Sequence, residues 1–120
     1  SSPLLVAELL ASSGDIEAAT SSAVRLGLGE LLCRPVTTLS GGQLQRAYLA
    51  RATGSIQAGA IALIADEPTS ALDFAGQDDV AELLAELPVT RLLVSHDAAL
   101  VDRAERVLEM AGGRVRERPA

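Results

Sequence analysis

Two adjacent carboxylates follow an apolar run that has the length of a strand. Asp66 and Glu67 come directly after residues 60–65 and before Pro68, and open α/β sheets bind ligands off the carboxyl ends of their strands. Successive side chains diverge, so the two acids would divide the work. One would hold Mg²⁺ beside phosphate oxygens, and the other would polarise an attacking water. An acidic cap on the strand is the alternative.

His96 is the one histidine of the chain and follows a second candidate for a buried strand, residues 91–95. If the two strands are neighbours, its imidazole reaches the same site and hydrogen-bonds a phosphate, or a water held by Glu67. A structural role is the alternative for a lone histidine. Ser95, His96 and Asp97 do not form a hydrolase triad, because three consecutive residues cannot point at one another as that chemistry requires.

A third polar stretch, Ser40-Gly41-Gly42-Gln43, opens a predicted helix. The first N–H groups of a helix lack intrahelical partners, and the helix dipole makes that end positive. Glycines remove the side chains that would keep a ligand away, so the amides and the Ser40 hydroxyl can close on a phosphate. A flexible turn capped by serine is the alternative.

These residues need elements to position them, and the chain divides into a helical first part and an α/β second part. Helices are predicted over residues 3–11, from the cap Asp15 to about residue 26, and onward from the cap Ser40. The expected buried faces comprise Ile16, Ala19, Ala23, Val24 and Leu26 in the second helix, and Leu44, Ala47, Tyr48 and the stem of Arg51 in the third.

The second part of the chain is typical of a β-α-β unit. Residues 60–65 are a continuous apolar run, which indicates a strand buried on both faces, and residues 91–95 are a second candidate for a buried strand. A helix over residues 77–86 joins them. A short helix over 98–104 follows, and then a hairpin that turns at residues 112–113.

Composition excludes several classes of protein. The formal net charge is −6, which argues against a nucleic-acid-binding surface. The longest apolar run, residues 58–65, is far too short to span a bilayer, and no basic-plus-apolar leader opens the chain, so we expect no export. The single cysteine, Cys33, indicates a reducing compartment and is expected to be a small apolar filler beside a helix.

In this order and spacing, the polar stretches resemble motifs of the ATP-binding cassette (ABC) ATPases. Residues 39–43 (LSGGQ) are similar to the family's signature motif, 61–68 (IALIADEP) to its Walker B strand with the following glutamate, 70–73 (SALD) to its D-loop, and 95–97 (SHD) to its switch-histidine loop. The resemblance implies an α/β fold: a partial P-loop NTPase (RecA-like) core with an incomplete, mostly parallel sheet and a helical subdomain.

The resemblance also implies a division of the chain and a role for each polar residue. Residues 1–56 would be the helical subdomain with the signature helix, and 57–120 the C-terminal part of the ATPase core. By this resemblance, Asp66 would position Mg²⁺, Glu67 would act as general base or orient the water, and His96 would contact the γ-phosphate. Asp73 would couple the two sites of the dimer. ATP held by the opposing subunit would be bound by the start of the signature helix, Ser40, Gly41, Gly42 and Gln43. From the residues alone, Asp73 could equally cap the next helix.

The function implied is that of a nucleotide-binding subunit of an ABC transporter, which hydrolyses ATP at a dimer interface to drive transport of a substrate that the sequence does not identify. Its partners would be a second ATP-binding cassette subunit and transmembrane permease subunits, with no direct nucleic-acid contact. It would lie in the cytoplasm, at the inner face of the membrane through the permease. Two alternatives stay open: a soluble ABC-type ATPase acting on ribosomes or DNA, and a non-catalytic partner that donates only its signature motif.

The sequence also departs from the family's pattern. No G-x-x-x-x-G-K-[ST] loop occurs, the family's glutamine loop is missing, and all ten basic residues are arginine. Since the chain starts at Ser1 without a methionine, we expect the C-terminal part of a longer ATPase that is inactive alone. The family's sheet order places the phosphate-loop strand beside 91–95. Its removal would expose an apolar edge, so these residues alone are expected to be poorly stable.

Overall fold

The computed structural model describes residues 2–119 of the chain. Its helices and strands, in chain order, are α1 Val6–Ala11, α2 Ile16–Arg25, α3 Gly41–Gln57, β1 Ala62–Asp66, α4 Phe74–Glu86, β2 Thr90–Val94, α5 Ala98–Arg103, β3 Leu108–Ala111 and β4 Arg114–Glu117. Short 3₁₀ turns at Gly29–Leu31 and Val36–Thr38 connect α2 to α3.

The first three helices pack on one another around small side chains. Ala19 and Ala23 of α2 and Ala47 and Ala50 of α3 are fully buried, which lets the two helix axes approach closely. Gly54 extends this contact at the far end of α3, because a Cβ there would lie 2.2 Å from Ser13 Oγ.

The predicted helix starts are mostly confirmed, because they follow local capping rules. The Asp15 side chain accepts a hydrogen bond from Ala18 N at 3.0 Å, and Ser40 caps α3 as expected. The start expected near Pro3 is wrong: α1 begins only at Val6, since Leu4 O accepts from Val36 N and Leu5 forms an isolated bridge with Pro35.

The predicted buried faces are confirmed only in part. Ala19, Ala23, Leu26 and Ala47 are buried, whereas Ile16, Val24 and Tyr48 are half exposed. The α2 prediction was too wide, because α3 covers only a narrow stripe of that helix. On α3, Leu49 is buried in place of Tyr48, since Leu49 belongs to a hydrophobic cluster that also contains Val80 and Leu84 of α4.

The second part is a β-α-β unit, as predicted. Strands β1 and β2 pair in parallel, with Ala62 opposite Thr90 and Asp66 opposite Val94. Helix α4 connects them and begins at Phe74, earlier than the predicted residue 77, because Asp73 caps it. The hairpin of β3 and β4 is confirmed, with Gly112 and Gly113 at φ values of +56° and +75°.

The prediction that both strands are buried on both faces is wrong. Leu63 and Leu93 pack against α4 and α5, but Ile64 is 76% exposed, and Leu92 and Val94 are more than half exposed. Covering helices lie on one face only, and β1 and β2 have no other strand neighbours in the described residues. We call Ile64, Leu92 and Val94 the uncovered sheet face.

Two further properties concern the surface. Cys33 is exposed, so the expectation that it fills a space beside a helix is wrong. Among residues 2–119, no helix combines the length and the apolar character needed to cross a bilayer.

We predict that the isolated 120-residue chain self-associates, because the uncovered sheet face and two open strand edges attract further strands. Gel filtration over a concentration series, with circular dichroism, measures this. Leu92→Lys places a charge within the face and should reduce association, whereas Val24→Lys, at an exposed apolar residue of α2, should not. A well-folded monomer at all concentrations would contradict the prediction.

Candidate functional site

The start of α3 is closed by a reciprocal pair of hydrogen bonds. Ser40 Oγ accepts from Gln43 N at 3.1 Å, and Gln43 Oε1 accepts from Ser40 N at 2.9 Å. This capping box fixes the first turn. A hydroxyl carries one hydrogen of its own, so Ser40 can still donate, while the Gln43 carbonyl is engaged in the cap.

The two glycines of this turn have different surroundings. A Cβ on Gly42 would lie 3.0 Å from Ala71 O and 3.2 Å from Leu72 Cδ2, whereas one on Gly41 would meet only Ala71 Cβ, at 3.6 Å. Gly41 is also exposed. Gly42 therefore allows α3 to approach the loop that holds Ala71, while Gly41 leaves a backbone amide open to a ligand.

An open groove of about 530 Å³ runs along this contact. It is lined by Ser40, Gly41, Gly42, Arg46, Ala71, Leu72, Asp73 and Gly76. The Asp73 side chain accepts from Gly76 N at 2.8 Å and so caps α4. The structure thus brings Asp73 to the same groove as the α3 start, and it confirms the local capping role that the sequence left open.

Glu67 has a left-handed backbone. Its φ is +49°, which costs roughly 1–2 kcal/mol for a residue with a side chain. The Glu67 N–H donates to Val94 O at 2.7 Å, and its carbonyl accepts from Gln45 Nε2 at 3.0 Å. Both sides of the residue are therefore held by other elements.

The structure brings Glu67 and His96 together. His96 Nε2 lies 3.9 Å from Glu67 Oε1, with the His96 side chain fully exposed and that of Glu67 36% exposed. Asp66, one residue earlier, is exposed at the end of β1. The predicted neighbourhood of the acid pair and the histidine follows directly from the parallel pairing of β1 and β2.

A buried threonine connects the loop after β1 to the loop after β2. Thr69 is 1% exposed, and its hydroxyl donates to Asp97 Oδ2 at 2.7 Å. The other oxygen of Asp97 caps α5 by accepting from Ala99 N at 2.9 Å. The sequence reasoning missed Thr69 and also Gln45. The one available signal was that both polar residues lie next to quoted motifs: Gln45 follows residues 39–43 by two positions, and Thr69 lies between 61–68 and 70–73.

The described residues contain no group of three His, Cys, Asp or Glu side chains placed to hold a metal ion. Asp66 alone suits Mg²⁺, which takes one or two carboxylates and completes its shell with water and phosphate oxygens.

No protein-family model matches this chain, but many curated proteins do. It is 42% identical over 95 residues to the lipoprotein-releasing system ATP-binding protein LolD of Anaeromyxobacter dehalogenans, covering 76% of this chain and 38% of that one. It is 43% identical to the macrolide export ATP-binding/permease protein MacB of Wolinella succinogenes, over 78% of this chain and 14% of that one. It is 38% identical to the hemin import ATP-binding protein HmuV of Rhodopseudomonas palustris, over 94% and 48%.

Solved structures agree with these relatives. The dimeric structure of MJ0796, a bacterial ABC transporter cassette, matches with a TM-score of 0.72 and 27% identity, over 85% of this chain and 46% of that one. The archaeal ribosome recycling factor aABCE1 matches with a TM-score of 0.77 and 29% identity, over 93% and 22%. The chain spans less than half the length of each of these five proteins. The predicted fold, a partial α/β core, is confirmed by the similarity to the cassette structures.

We predict that Thr69→Val lowers the free energy of unfolding by about 1–3 kcal/mol, because it removes a buried hydrogen bond to a carboxylate at nearly constant shape. Thermal or urea unfolding of the complete protein measures this. Thr90→Val makes the same change at an exposed position of β2 and should leave stability within about 0.5 kcal/mol. Equal stability of the two variants would contradict the prediction.

Proposed function

This chain belongs to the ATP-binding cassette ATPases, and we propose that it supplies the C-terminal part of a nucleotide-binding subunit that hydrolyses ATP to drive a transporter. The observation that carries the proposal is the approach of Glu67 and His96 to 3.9 Å at the carboxyl ends of two parallel strands. In the proposed division, residues 1–56 form the helical subdomain and 57–120 belong to the ATPase core.

Glu67 and His96 would act on one bound ATP. The Glu67 carboxylate would orient the attacking water and take its proton, and the exposed His96 imidazole would hydrogen-bond the γ-phosphate. Phosphoryl transfer depends mostly on positioning and charge neutralisation. The left-handed backbone of Glu67 supports this role, because strain of this kind collects at functional sites.

Asp66 would hold Mg²⁺ through water, as proposed from the sequence. The cation would neutralise charge on the β- and γ-phosphates. Two adjacent carboxylates repel a triphosphate, so Asp66 contributes to binding only when a cation intervenes. The chain contains no lysine, and the remaining phosphate contacts would come from residues outside it.

The start of α3 would bind the γ-phosphate of an ATP held by a second cassette subunit. The Ser40 hydroxyl and the Gly41 amide line an open groove, Gly42 allows the close packing of the turn, and Gln43 keeps the cap closed. Asp73 lies in the same groove and would couple the two sites. Similarity to a dimeric cassette structure supports the second subunit.

The transporter assignment rests on the relatives, whose names describe lipoprotein release, macrolide export and hemin import. These cargoes and directions differ, so the proposal includes permease partners and a place at the inner membrane face but no substrate. The net charge of −6 supports the absence of direct nucleic-acid contact.

A second candidate is a soluble ABC-type ATPase that acts on ribosomes. The similarity to the ribosome recycling factor aABCE1 favours it. Stimulation of ATP turnover by purified ribosomes, but not by a permease in vesicles, would select this candidate. A non-catalytic partner is disfavoured, because it would not need Glu67 beside His96.

We predict that Glu67→Gln in the complete protein lowers kcat for ATP hydrolysis by about 10²–10⁴-fold and leaves ATP affinity nearly unchanged. The change removes the water-activating carboxylate at constant shape. Steady-state hydrolysis and nucleotide binding measure the two effects. Glu105→Gln, at an exposed residue, is the control. Near-normal turnover of Glu67→Gln would overturn the role of Glu67.

We predict that Ser40→Arg also abolishes turnover, because the long cation fills the groove that receives the partner's nucleotide. Mixing Ser40→Arg with Glu67→Gln tests the shared site. Half of the dimers then contain one subunit of each variant. In each of these mixed dimers, one of the two sites has both Ser40 and Glu67 intact, so turnover should return to about a quarter of wild type if the sites act independently. No recovery in mixed dimers would show that Ser40 and Glu67 do not serve one site from two subunits.

A further inference from the structure

One side chain of α3 makes three hydrogen bonds to the loop that follows β1. Gln45 Nε2 donates to Glu67 O at 3.0 Å and to Ser70 Oγ at 2.9 Å, and Gln45 Oε1 accepts from Ala71 N at 3.1 Å. We call these three contacts the Gln45 clamp. It joins segments that lie 22 to 26 residues apart in the chain.

The clamp acts on Glu67 through its backbone. The Glu67 N–H is bonded to Val94 O at 2.7 Å. Its carbonyl accepts from Gln45 Nε2 at 3.0 Å and, at the longer distance of 3.3 Å, from Ser70 N, so the left-handed φ of +49° is held from both sides. Loss of the Gln45 bond would leave the carbonyl with only the longer bond from Ser70 N, which lies in the same loop, and would allow the peptide after Glu67 to rotate toward an unstrained conformation. The Glu67 carboxylate would then leave its position beside His96.

The chemistry of the clamp needs an amide. Two acceptors, Glu67 O and Ser70 Oγ, and one donor, Ala71 N, meet at the end of one side chain. A carboxylate accepts but cannot donate, and asparagine is one methylene shorter than glutamine. Glutamate at this position would therefore keep the contact with Ala71 N, and the Ser70 hydroxyl can turn to donate to the carboxylate. The bond to Glu67 O is the one that glutamate cannot make, at nearly constant size.

We propose that Gln45 is a positioning residue for ATP hydrolysis, which holds the Glu67 backbone against the first turns of α3 so that the carboxylate faces the reacting water. The proposal rests on the proposed function. Gln45 contacts no reacting atom in this scheme and acts only through Glu67. Its removal should lower the rate of the chemical step and leave ATP binding intact.

The test uses Gln45→Glu in the complete protein. We expect kcat to fall by about 10- to 100-fold, the cost typical of a displaced catalytic group, with KM for ATP within about twofold of wild type. Ser70→Ala removes one bond of the clamp and should give a smaller loss of kcat. Gln57→Glu makes the same substitution at an exposed residue of the same helix and should leave kcat unchanged.

Mixed dimers locate the defect. Gln45→Glu should recover turnover when mixed with Ser40→Arg, whose Glu67 is intact, and should not recover it with Glu67→Gln. The opposite pattern would place the defect in the α3 start and overturn the proposal. A wild-type kcat in Gln45→Glu would also overturn the proposal. A loss of kcat accompanied by an equal loss of ATP binding would overturn it too, because that result would indicate local unfolding.

Measuring Glu67→Gln alongside separates the two levels of inference. If Glu67→Gln retains wild-type turnover, the proposed function fails and the role of Gln45 with it. If Glu67→Gln is inactive and Gln45→Glu is fully active, only the role of Gln45 fails.

Discussion

The close contact between the first turns of α3 and the loop after β1 is the constraint on which the candidate site depends. Gly42 makes it possible, because a Cβ there would lie 3.0 Å from Ala71 O, tighter than ordinary van der Waals contact. Gln45 then spans the contact with hydrogen bonds to Glu67, Ser70 and Ala71. The groove beside Asp73 and the backbone of Glu67 thus share one packing contact.

The parallel pairing of β1 and β2 supplies the second half of the site. Because Asp66 lies opposite Val94, the residues just beyond both strands meet at one edge of the sheet. The bond from Glu67 N to Val94 O extends the pairing by one residue, and the bond from Thr69 to Asp97 repeats the connection further along both loops. Glu67 is therefore held through its backbone, and the loop that carries His96 is held through the side chains of Thr69 and Asp97.

The sequence predicts those parts of this structure that depend on neighbouring residues. Capping by Asp15 and Ser40 needs only a side chain and an amide three residues later, so these two helix starts could be predicted. Asp73 caps α4 by the same rule, although the predicted start of that helix, residue 77, lies three residues beyond the observed one. The hairpin at Gly112 and Gly113 is equally local. The clamp by Gln45 could not be predicted, because its partners lie more than twenty residues away and depend on how α3 meets the loop.

The prediction that both strands are buried on both faces was wrong for a related reason. A continuous apolar run shows that both faces of a strand can be covered, but not which layers cover them. Here Leu63 and Leu93 lie against helices, while Ile64 and Leu92 do not. Tyr48 is a similar case, since the choice between Tyr48 and Leu49 for burial depends on the cluster that Leu49 forms with Val80 and Leu84 of α4, rather than on the periodicity of α3.

The uncovered sheet face also bears on the chemistry of the acid pair. Side chains alternate along a strand, so Asp66 lies on the same face of β1 as Ile64 and beside Val94 on β2. Any apolar layer that covers Ile64 and Val94 also removes water from the surroundings of Asp66. Desolvation disfavours a bare carboxylate and strengthens its attraction to a cation. The covering of this face and the proposed binding of Mg²⁺ beside Asp66 should therefore favour each other.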